Sequence, residues 1–125
     1  MLVQPYLMFG GRCQEAVEFY RDVLGAEVEM LMRFKESPDP EMCPPGGGDK
    51  VMHAAFRIGD TTVMASDGRN QGQPRFEGFA LSITVSSEPE AERLFAGLAE
   101  GGQVHMPLGG GAWSRPSTTI LPSAR

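Results

Sequence analysis

The feature that most constrains this chain is a strand-helix-strand pattern over residues 5–30, of which a fainter copy follows about 75 residues later. The first copy begins with a short apolar strand that ends at the pair Gly10-Gly11. An amphipathic helix is expected from Cys13 onward, because apolar residues then recur at helical spacing. Gly25 supplies the helix stop, where a left-handed backbone is most easily adopted by glycine. A second strand follows directly.

The helices of the two copies carry apolar stripes that match at a constant offset. The paired positions are Ala16, Phe19, Tyr20 and Val23 in the first copy and Ala91, Leu94, Phe95 and Leu98 in the second. After one inserted residue, Val28 and Met30 match Val104 and Met106. A single unit of this kind cannot bury its apolar face, whereas two side by side can. We therefore expect two similar half-sheets, each with one helix, and a groove on the side away from the helices.

Three further segments have the alternating polarity of strands: residues 27–34, 51–58 and 61–66. In the first, alternation predicts that one face carries Val28, Met30, Met32 and Phe34. In the second, it places His53 and Arg57 on one face and Phe56 on the other. Residues 37–50 contain four prolines and three glycines, which predicts a surface loop.

The second half repeats the theme in weaker form. Residues 79–85 alternate, with Leu81 and Ile83 on one face and Ser82 on the other. Ser87 followed by Glu90 is a capping-box pattern, which predicts a helix start. Glycines at 101–102 end that helix, and residues 103–108 are predicted to form a short strand.

Composition excludes several classes of function. The chain has 125 residues, which suits one domain, and a formal net charge of −5, which argues against a nucleic-acid partner. No apolar run approaches the roughly 18 residues of a membrane span, and no signal peptide is visible at the N-terminus. Cys13 and Cys43 stand in no metal or redox spacing. We therefore expect a cytoplasmic protein.

Three stretches together resemble the vicinal oxygen chelate superfamily, which includes glyoxalase I, bleomycin-resistance proteins and extradiol dioxygenases. They are PYLMFGGRCQEAVEFYRDVLGAEVEMLMRF, DKVMHAAFRIGDTTVMASD and GFALSITVSSEPEAERLFAGLAEGGQVHMPL. Within the superfamily the chain looks closest to the PhnB-like branch, also labelled demethylubiquinone methyltransferase-like. The resemblance implies an α+β fold of paired β-α-β-β-β modules, with a mixed curved sheet and helices on its outer side. It also implies a homodimer. The first module would cover residues 3–66 and a partial second module residues 78–114 of the single domain 1–125.

The chain departs from that superfamily in two places. Its enzymes hold a divalent metal with His, Gln or Glu side chains from the first, fourth, fifth and last strands, and no His or Glu stands at the expected place in the first, fourth or fifth strand here. We therefore predict no metal ligand and no cofactor. After Trp113-Ser114 the sequence RPSTTILPSAR no longer resembles the relatives, which leaves the second module incomplete and residues 115–125 as an atypical tail. Our hypothesis is that residues 117–121 pack on the sheet or on a partner subunit.

Five residues are candidates for ligand binding: His53, Arg57, Ser66, Ser82 and Trp113. His53 and Arg57 share a strand face and could bind an anion or, for His53, move a proton. The alternative is that both are satisfied structural side chains. Ser66, Ser82 and Trp113 could line the same groove or serve only the sheet and the core. Cys13 lies at a helix start that lowers thiol pKa values, although a buried inert thiol is the favoured interpretation.

Three functions fit these observations. The first is a metal-free small-molecule binding protein of the bleomycin-resistance kind. The second is a glyoxalase-like or dioxygenase-like enzyme, a lyase or oxidoreductase, with an atypical divalent-metal site. The third is a remnant that folds without an activity. The glycine runs at 46–48 and 109–111 do not follow a strand and open a helix, so neither supports a nucleotide or S-adenosylmethionine site.

Overall fold

The structure, a computed structural model, describes residues 1–39, 41, 43, 45–68, 76 and 78–100, and the backbone of 117–120. The chain divides into two compact units, residues 1–75 and 76–123. The first unit contains β1 (Tyr6–Met8), α1 (Cys13–Leu24), β2 (Glu27–Arg33), a 3-10 turn (Phe34–Glu36), β3 (Val51–Ile58) and β4 (Thr61–Ser66). The second contains β5 (Leu81–Thr84), α2 (Glu88–Ala99) and β6 (Ser117–Ile120). The described part of the protein is therefore of the predicted α+β class.

The first unit is an open, mixed four-stranded sheet with the strand order β1-β4-β3-β2. β1 runs parallel to β4, and β3 is antiparallel to both of its neighbours. The parallel pair is possible because α1 and the β2-β3 hairpin lie between β1 and β4 in sequence. The two edges of this sheet are β1 and β2.

One face of this sheet and α1 form a common core. The ring of Tyr20, in α1, stacks on that of Phe56, in β3, with the ring centroids 5.8 Å apart. The core also buries Leu7 of β1 and Val63 of β4. Along β3 every second residue faces this core, as the alternation of its sequence predicts.

Gly25 ends α1 as predicted. Its φ of 67° lies in the left-handed region, and its backbone N–H donates to the carbonyl of Arg21 over 3.1 Å. The N–H of Ala26 donates to Tyr20 O over 3.4 Å. These two bonds satisfy carbonyls that the last helical turn leaves open.

The prediction for the faces of β2 is wrong in two respects. Val28 pairs with Phe56 on β3, whereas Met30 pairs with Ala55, the next residue along. Glu29 is therefore an extra residue, and this β-bulge moves Met30 to the face opposite that of Val28. The strand also ends at Arg33, so that Phe34 is buried at the start of the 3-10 turn instead of sharing a strand face.

The described residues of the loop 37–50 lie mostly at the surface, as predicted, and its end is held to the 3-10 turn. Phe34 N–H donates to Lys50 O and Lys35 N–H donates to Gly48 O, both over 3.0 Å. The ammonium of Lys35 lies 2.9 Å from the Asp49 carboxylate. This hydrogen bond and the charge of Lys35 lower the pKa of Asp49.

The second unit, taken by itself, pairs β5 antiparallel with β6. Ser87 caps α2 as predicted, accepting the backbone N–H of Glu90 over 3.4 Å. Ala91 and Leu94 are buried on the predicted stripe. β5 is shorter than the predicted strand, and the predicted strand at 103–108 lies outside the described residues. β6 falls within the tail segment that was expected to pack on a sheet.

Candidate functional site

The face of the first unit's sheet that is opposite α1 is rich in methionine. Residues directly opposite each other on neighbouring strands point to the same face. The register therefore gathers a set that we call the methionine face: Tyr6, Met8, Glu27, Met30, Met32, His53, Ala55, Arg57, Thr62, Met64 and Ser66. Tyr6, Met8 and Met30 are 43%, 50% and 40% exposed, so this face is accessible to a small molecule.

A tyrosine-histidine pair lies at one end of the methionine face. The Tyr6 hydroxyl lies 3.0 Å from Nδ1 of His53, and the ring centroids are 5.6 Å apart. Tyr6 is on β1 and His53 on β3, so this hydrogen bond passes over β4. Desolvation raises the pKa of Tyr6, against a smaller lowering by the Ser66 hydroxyl. The phenol therefore stays protonated and available as a hydrogen-bond donor to the imidazole.

Two acidic side chains, Glu27 and Glu29, lie at the other end of the methionine face. Glu27 forms an ion pair with Arg57, directly opposite on β3. The Thr62 hydroxyl donates to the Glu29 carboxylate over 3.4 Å, although Glu29 is on β2 and Thr62 on β4. This second hydrogen bond passes over β3. Regular alternation from Glu27 places Glu29 on this face, and the bulge then adds Met30 to the same face.

Ala55 forms the floor between these two ends. It lies opposite Met64 on one side and Met30 on the other. Along β3 its neighbours on the same face are His53 and Arg57, two residues away in each direction. Ala55 is partly exposed, and its methyl group is shorter than the four side chains around it, so we infer a shallow depression at this position, which we call the Ala55 depression. This depression can hold a flat apolar group and offers polar partners at both ends.

The sequence-predicted residues have different positions in this arrangement. His53 and Arg57 are on one face, as predicted, and each has a partner of its own. Ser66 is buried; its hydroxyl accepts Gly68 N–H over 2.9 Å and lies 3.4 Å from the carbonyl of Val51. Ser82 is exposed on β5 in the second unit, and Trp113 lies outside the described residues.

Sequence reasoning missed Glu29 and Tyr6. The alternation of residues 27–34 assigned Glu29 to the face opposite Met30, and no residue in that segment signals the bulge. Tyr6 lies in the short apolar strand before Gly10-Gly11, and nothing in that segment indicates a binding role. Its partner His53 is 47 positions away, a distance over which sequence spacing carries no information.

Cys13 is the buried, inert thiol that the sequence favoured. Its side chain is fully buried at the start of α1. Desolvation, and then the negative charge of Asp67, raise the pKa of the thiol to about 12. The helix dipole does not overcome these two effects, so Cys13 is not a nucleophile at neutral pH.

The side chain of Asp67 fixes the start of α1 through hydrogen bonds to the backbone. Its Oδ1 accepts the backbone N–H groups of Gly11 and Cys13, and its Oδ2 that of Val51, each over 2.8 Å. The carboxylate thus joins the β1-α1 turn to the start of β3. Across the residues that the structure describes, no three His, Cys, Asp or Glu side chains come together as metal ligands would. None of the described helices could cross a membrane.

Comparison with known proteins agrees with this architecture. A family described as 3-demethylubiquinone-9 3-methyltransferase matches residues 2–115. Protein YjdN of Escherichia coli K12 is 33% identical over 114 residues, covering 85% of this chain and 78% of its own. The crystal structure of protein PA1353 from Pseudomonas aeruginosa superposes with a TM-score of 0.75 at 40% identity, covering 97% of this chain and 88% of that one.

A third protein points the same way. The putative 3-demethylubiquinone-9 3-methyltransferase, PhnB protein, from Bacillus cereus is 28% identical with a TM-score of 0.75, over 93% of this chain and 87% of its own. The sheet of the first unit, the helix that covers one of its faces and these matches agree with one another. The chain therefore belongs to the 3-demethylubiquinone-9 3-methyltransferase family, the PhnB-like branch of the vicinal oxygen chelate fold.

Proposed function

We propose that this protein binds a small molecule on the methionine face and does so without a metal ion. The observation that carries the proposal is the register that places the short, partly exposed side chain of Ala55 between Met30 and Met64, with His53 and Arg57 two residues away on the same strand face. Exposed methionines adapt to the shape of an apolar ligand because the side chain is unbranched and the thioether is polarizable. An apolar surface with a few polar groups at its margin is the usual composition of a ligand site.

The remaining features of the proposal rest on the sequence and its resemblance. His53 and Arg57 contact the ligand, and Ser66, Ser82 and Trp113 are further ligand-binding candidates that rest on the sequence alone. The protein acts as a homodimer in the cytoplasm. A glyoxalase-like or dioxygenase-like activity with an atypical divalent metal is the alternative, and the described residues give it no supporting ligand set.

Methyl transfer, which the family description names, is not part of the proposal. A site for S-adenosylmethionine or a nucleotide is expected where a glycine-rich loop follows a strand and opens a helix. The glycine run at 46–48 instead lies between the 3-10 turn and β3. Its backbone therefore has no helix N-terminus at which to hold a charged group.

Native mass spectrometry of the protein purified from its own host tests the proposal. We expect a mass excess that disappears on denaturation and survives treatment with a metal chelator. Ala55→Leu fills the depression and should abolish the excess. Thr61→Leu is the matched control, because Thr61 is exposed on β4 and its register with Ile58 places it on the opposite face.

Two results would count against the proposal. If Ala55→Leu retains the same bound mass as the natural sequence, the ligand does not occupy the methionine face. If the excess is a divalent metal that a chelator removes, the enzyme alternative replaces the binding proposal.

A further inference from the structure

We infer that the methionine face selects planar organic cations over anions; this inference rests on the proposed function and narrows its ligand class. Dimensions set the shape of the ligand. Neighbouring strands are about 4.8 Å apart, so the backbones that carry Met30 and Met64 are separated by about 10 Å across β3. His53 and Arg57 are four residues apart on one strand, which corresponds to about 13 Å. One or two fused rings fit between these limits.

The nature of the surrounding atoms favours an aromatic ring. Thioether sulfur makes favourable contacts with aromatic rings, and Met30 and Met64 flank the depression on both sides. Tyr6 adds an aromatic face at the margin, which attracts a positive charge through its π electrons. Ala55 keeps the floor flat, because its side chain does not extend beyond a methyl group.

The charged side chains on the methionine face determine whether it prefers a cationic or an anionic ligand. The guanidinium of Arg57 is paired with Glu27, so these two groups largely cancel. Glu29 remains: among the described residues no Lys, Arg or His lies within ion-pair distance of its carboxylate, which accepts only the Thr62 hydroxyl. Counting Glu27, Glu29 and Arg57 among the described residues, the formal charge of this end of the face is −1, and a cationic ligand would compensate it. The sequence had suggested an anion at Arg57, and the ion pair with Glu27 removes the basis for that suggestion.

The test uses two dyes of opposite charge on the full-length protein. Thioflavin T carries a planar, cationic two-ring benzothiazolium, and 8-anilinonaphthalene-1-sulfonate is an aromatic anion of similar size. Dissociation constants are measured by equilibrium dialysis at low ionic strength, with the protein shown to be monodisperse by gel filtration. We expect thioflavin T to bind more tightly than the anion by about fivefold, the upper end of the factor that one partly exposed charge interaction supplies.

Three variants assign this preference to its residues. Glu29→Gln keeps an oxygen that can accept the Thr62 hydroxyl and removes the charge. The dissociation constant of thioflavin T should therefore rise by about fivefold, while that of the anion should fall slightly. Ala55→Leu should abolish binding of both dyes. Glu18→Gln is the control, because Glu18 is an exposed acid on α1 whose loss changes the net charge equally without altering the face.

The possible results separate this inference from the proposed function. If the anion binds as tightly as the cation, or if Glu29→Gln changes nothing, the cation preference is refuted; loss of binding in Ala55→Leu would still support a ligand site. If Ala55→Leu leaves both dyes bound unchanged, neither dye occupies the face and the inference fails. The bound mass seen by native mass spectrometry then decides the proposed function independently.

Discussion

Oδ1 of Asp67 lies 2.8 Å from the backbone nitrogen of Cys13, the first residue of α1, although 54 positions separate the two residues in sequence. The same carboxylate accepts Gly11 N–H and Val51 N–H, so one side chain satisfies three buried or partly buried donors from two separate segments. In a helix the first amides have no partners within the helix itself. Asp67 therefore does the work of a capping residue from a remote position in the chain.

Removal of this carboxylate should strongly destabilise the first unit. Asp67→Ala leaves three backbone N–H groups without an acceptor, and we expect a loss of about 3 kcal/mol or more in the free energy of unfolding. Asp67→Asn retains one oxygen but places an NH₂ group against a donor, so its loss should be smaller. Urea titration measures both. Asp22→Asn, an exposed acid on α1, is the control and should change stability by less than about 0.5 kcal/mol. Equal midpoints for Asp67→Ala and the control would show that the three hydrogen bonds contribute little.

The two cysteines should differ sharply in reactivity. With a pKa of about 12 for Cys13, only roughly one thiol in ten thousand is ionised at pH 8, and the side chain is buried as well. Cys43 is partly exposed in the loop that precedes β3. A disulfide exchange reagent should therefore modify Cys43 in the native protein and Cys13 only after denaturation. Cys43→Ser should remove the fast reaction. Its persistence in that variant would show that the α1 start opens readily.

Stability should fall at alkaline pH through the same thiol. The pKa of Cys13 is raised from 9.0 to about 12 on folding. Below pH 9 both states keep the proton and there is no effect. Above it the unfolded chain loses the proton first, so stability falls by at most about 1.4 kcal/mol per pH unit until pH 12.

A comparison with Cys13→Ala isolates this contribution, because the other groups titrate equally in both proteins apart from Tyr6, whose pKa the Cys13 charge raises as the smallest of three effects. Between pH 8 and pH 10.5 the natural sequence should lose about 2 kcal/mol more than the variant. Chemical denaturation at a series of pH values measures the difference. Parallel pH curves for the two proteins would mean that the folded state ionises Cys13 as easily as the unfolded chain.

The contact between Tyr6 and His53 predicts a single imidazole tautomer. A phenol that donates to Nδ1 over 3.0 Å leaves the proton of neutral His53 on Nε2. Nitrogen NMR at pH 8 should show this tautomer in the natural sequence and a mixture of both in Tyr6→Phe. Tyr20→Phe, which alters the buried tyrosine on the other face, is the control and should leave the His53 signals unchanged. A proton found on Nδ1 in the natural protein would reverse the direction of the hydrogen bond.

The sequence predicts local structure here better than it predicts contacts between distant segments. Gly25 and Ser87 fulfil their roles because a helix end depends on a few neighbouring residues. The alternation of β3 correctly places His53 and Arg57 together, since a regular strand has a period of two. In β2, by contrast, the bulge at Glu29 interrupts the period of two. The sequence 27–34 alternates without interruption, and only the pairing with β3 shows the extra residue.

The candidate site was predictable only in part for the same reason. Its position on the sheet follows from the pattern of β3, whereas its chemistry depends on side chains that meet across intervening strands. Tyr6 reaches over β4 to His53, and Glu29 reaches over β3 to Thr62. Neither contact is between neighbours in sequence or between directly paired residues. Sequence periodicity therefore gives no indication of either.

The bulge at Glu29 also affects how this surface could diversify during evolution. A relative that lacked the extra residue would keep the strand order, the register from Met30 onward and both faces of the strand, and would lose only the Glu29 carboxylate. One codon lost or gained would then remove or supply this acid without moving the neighbouring methionines. Recognition on this scaffold could thus change through insertion or deletion as readily as through substitution.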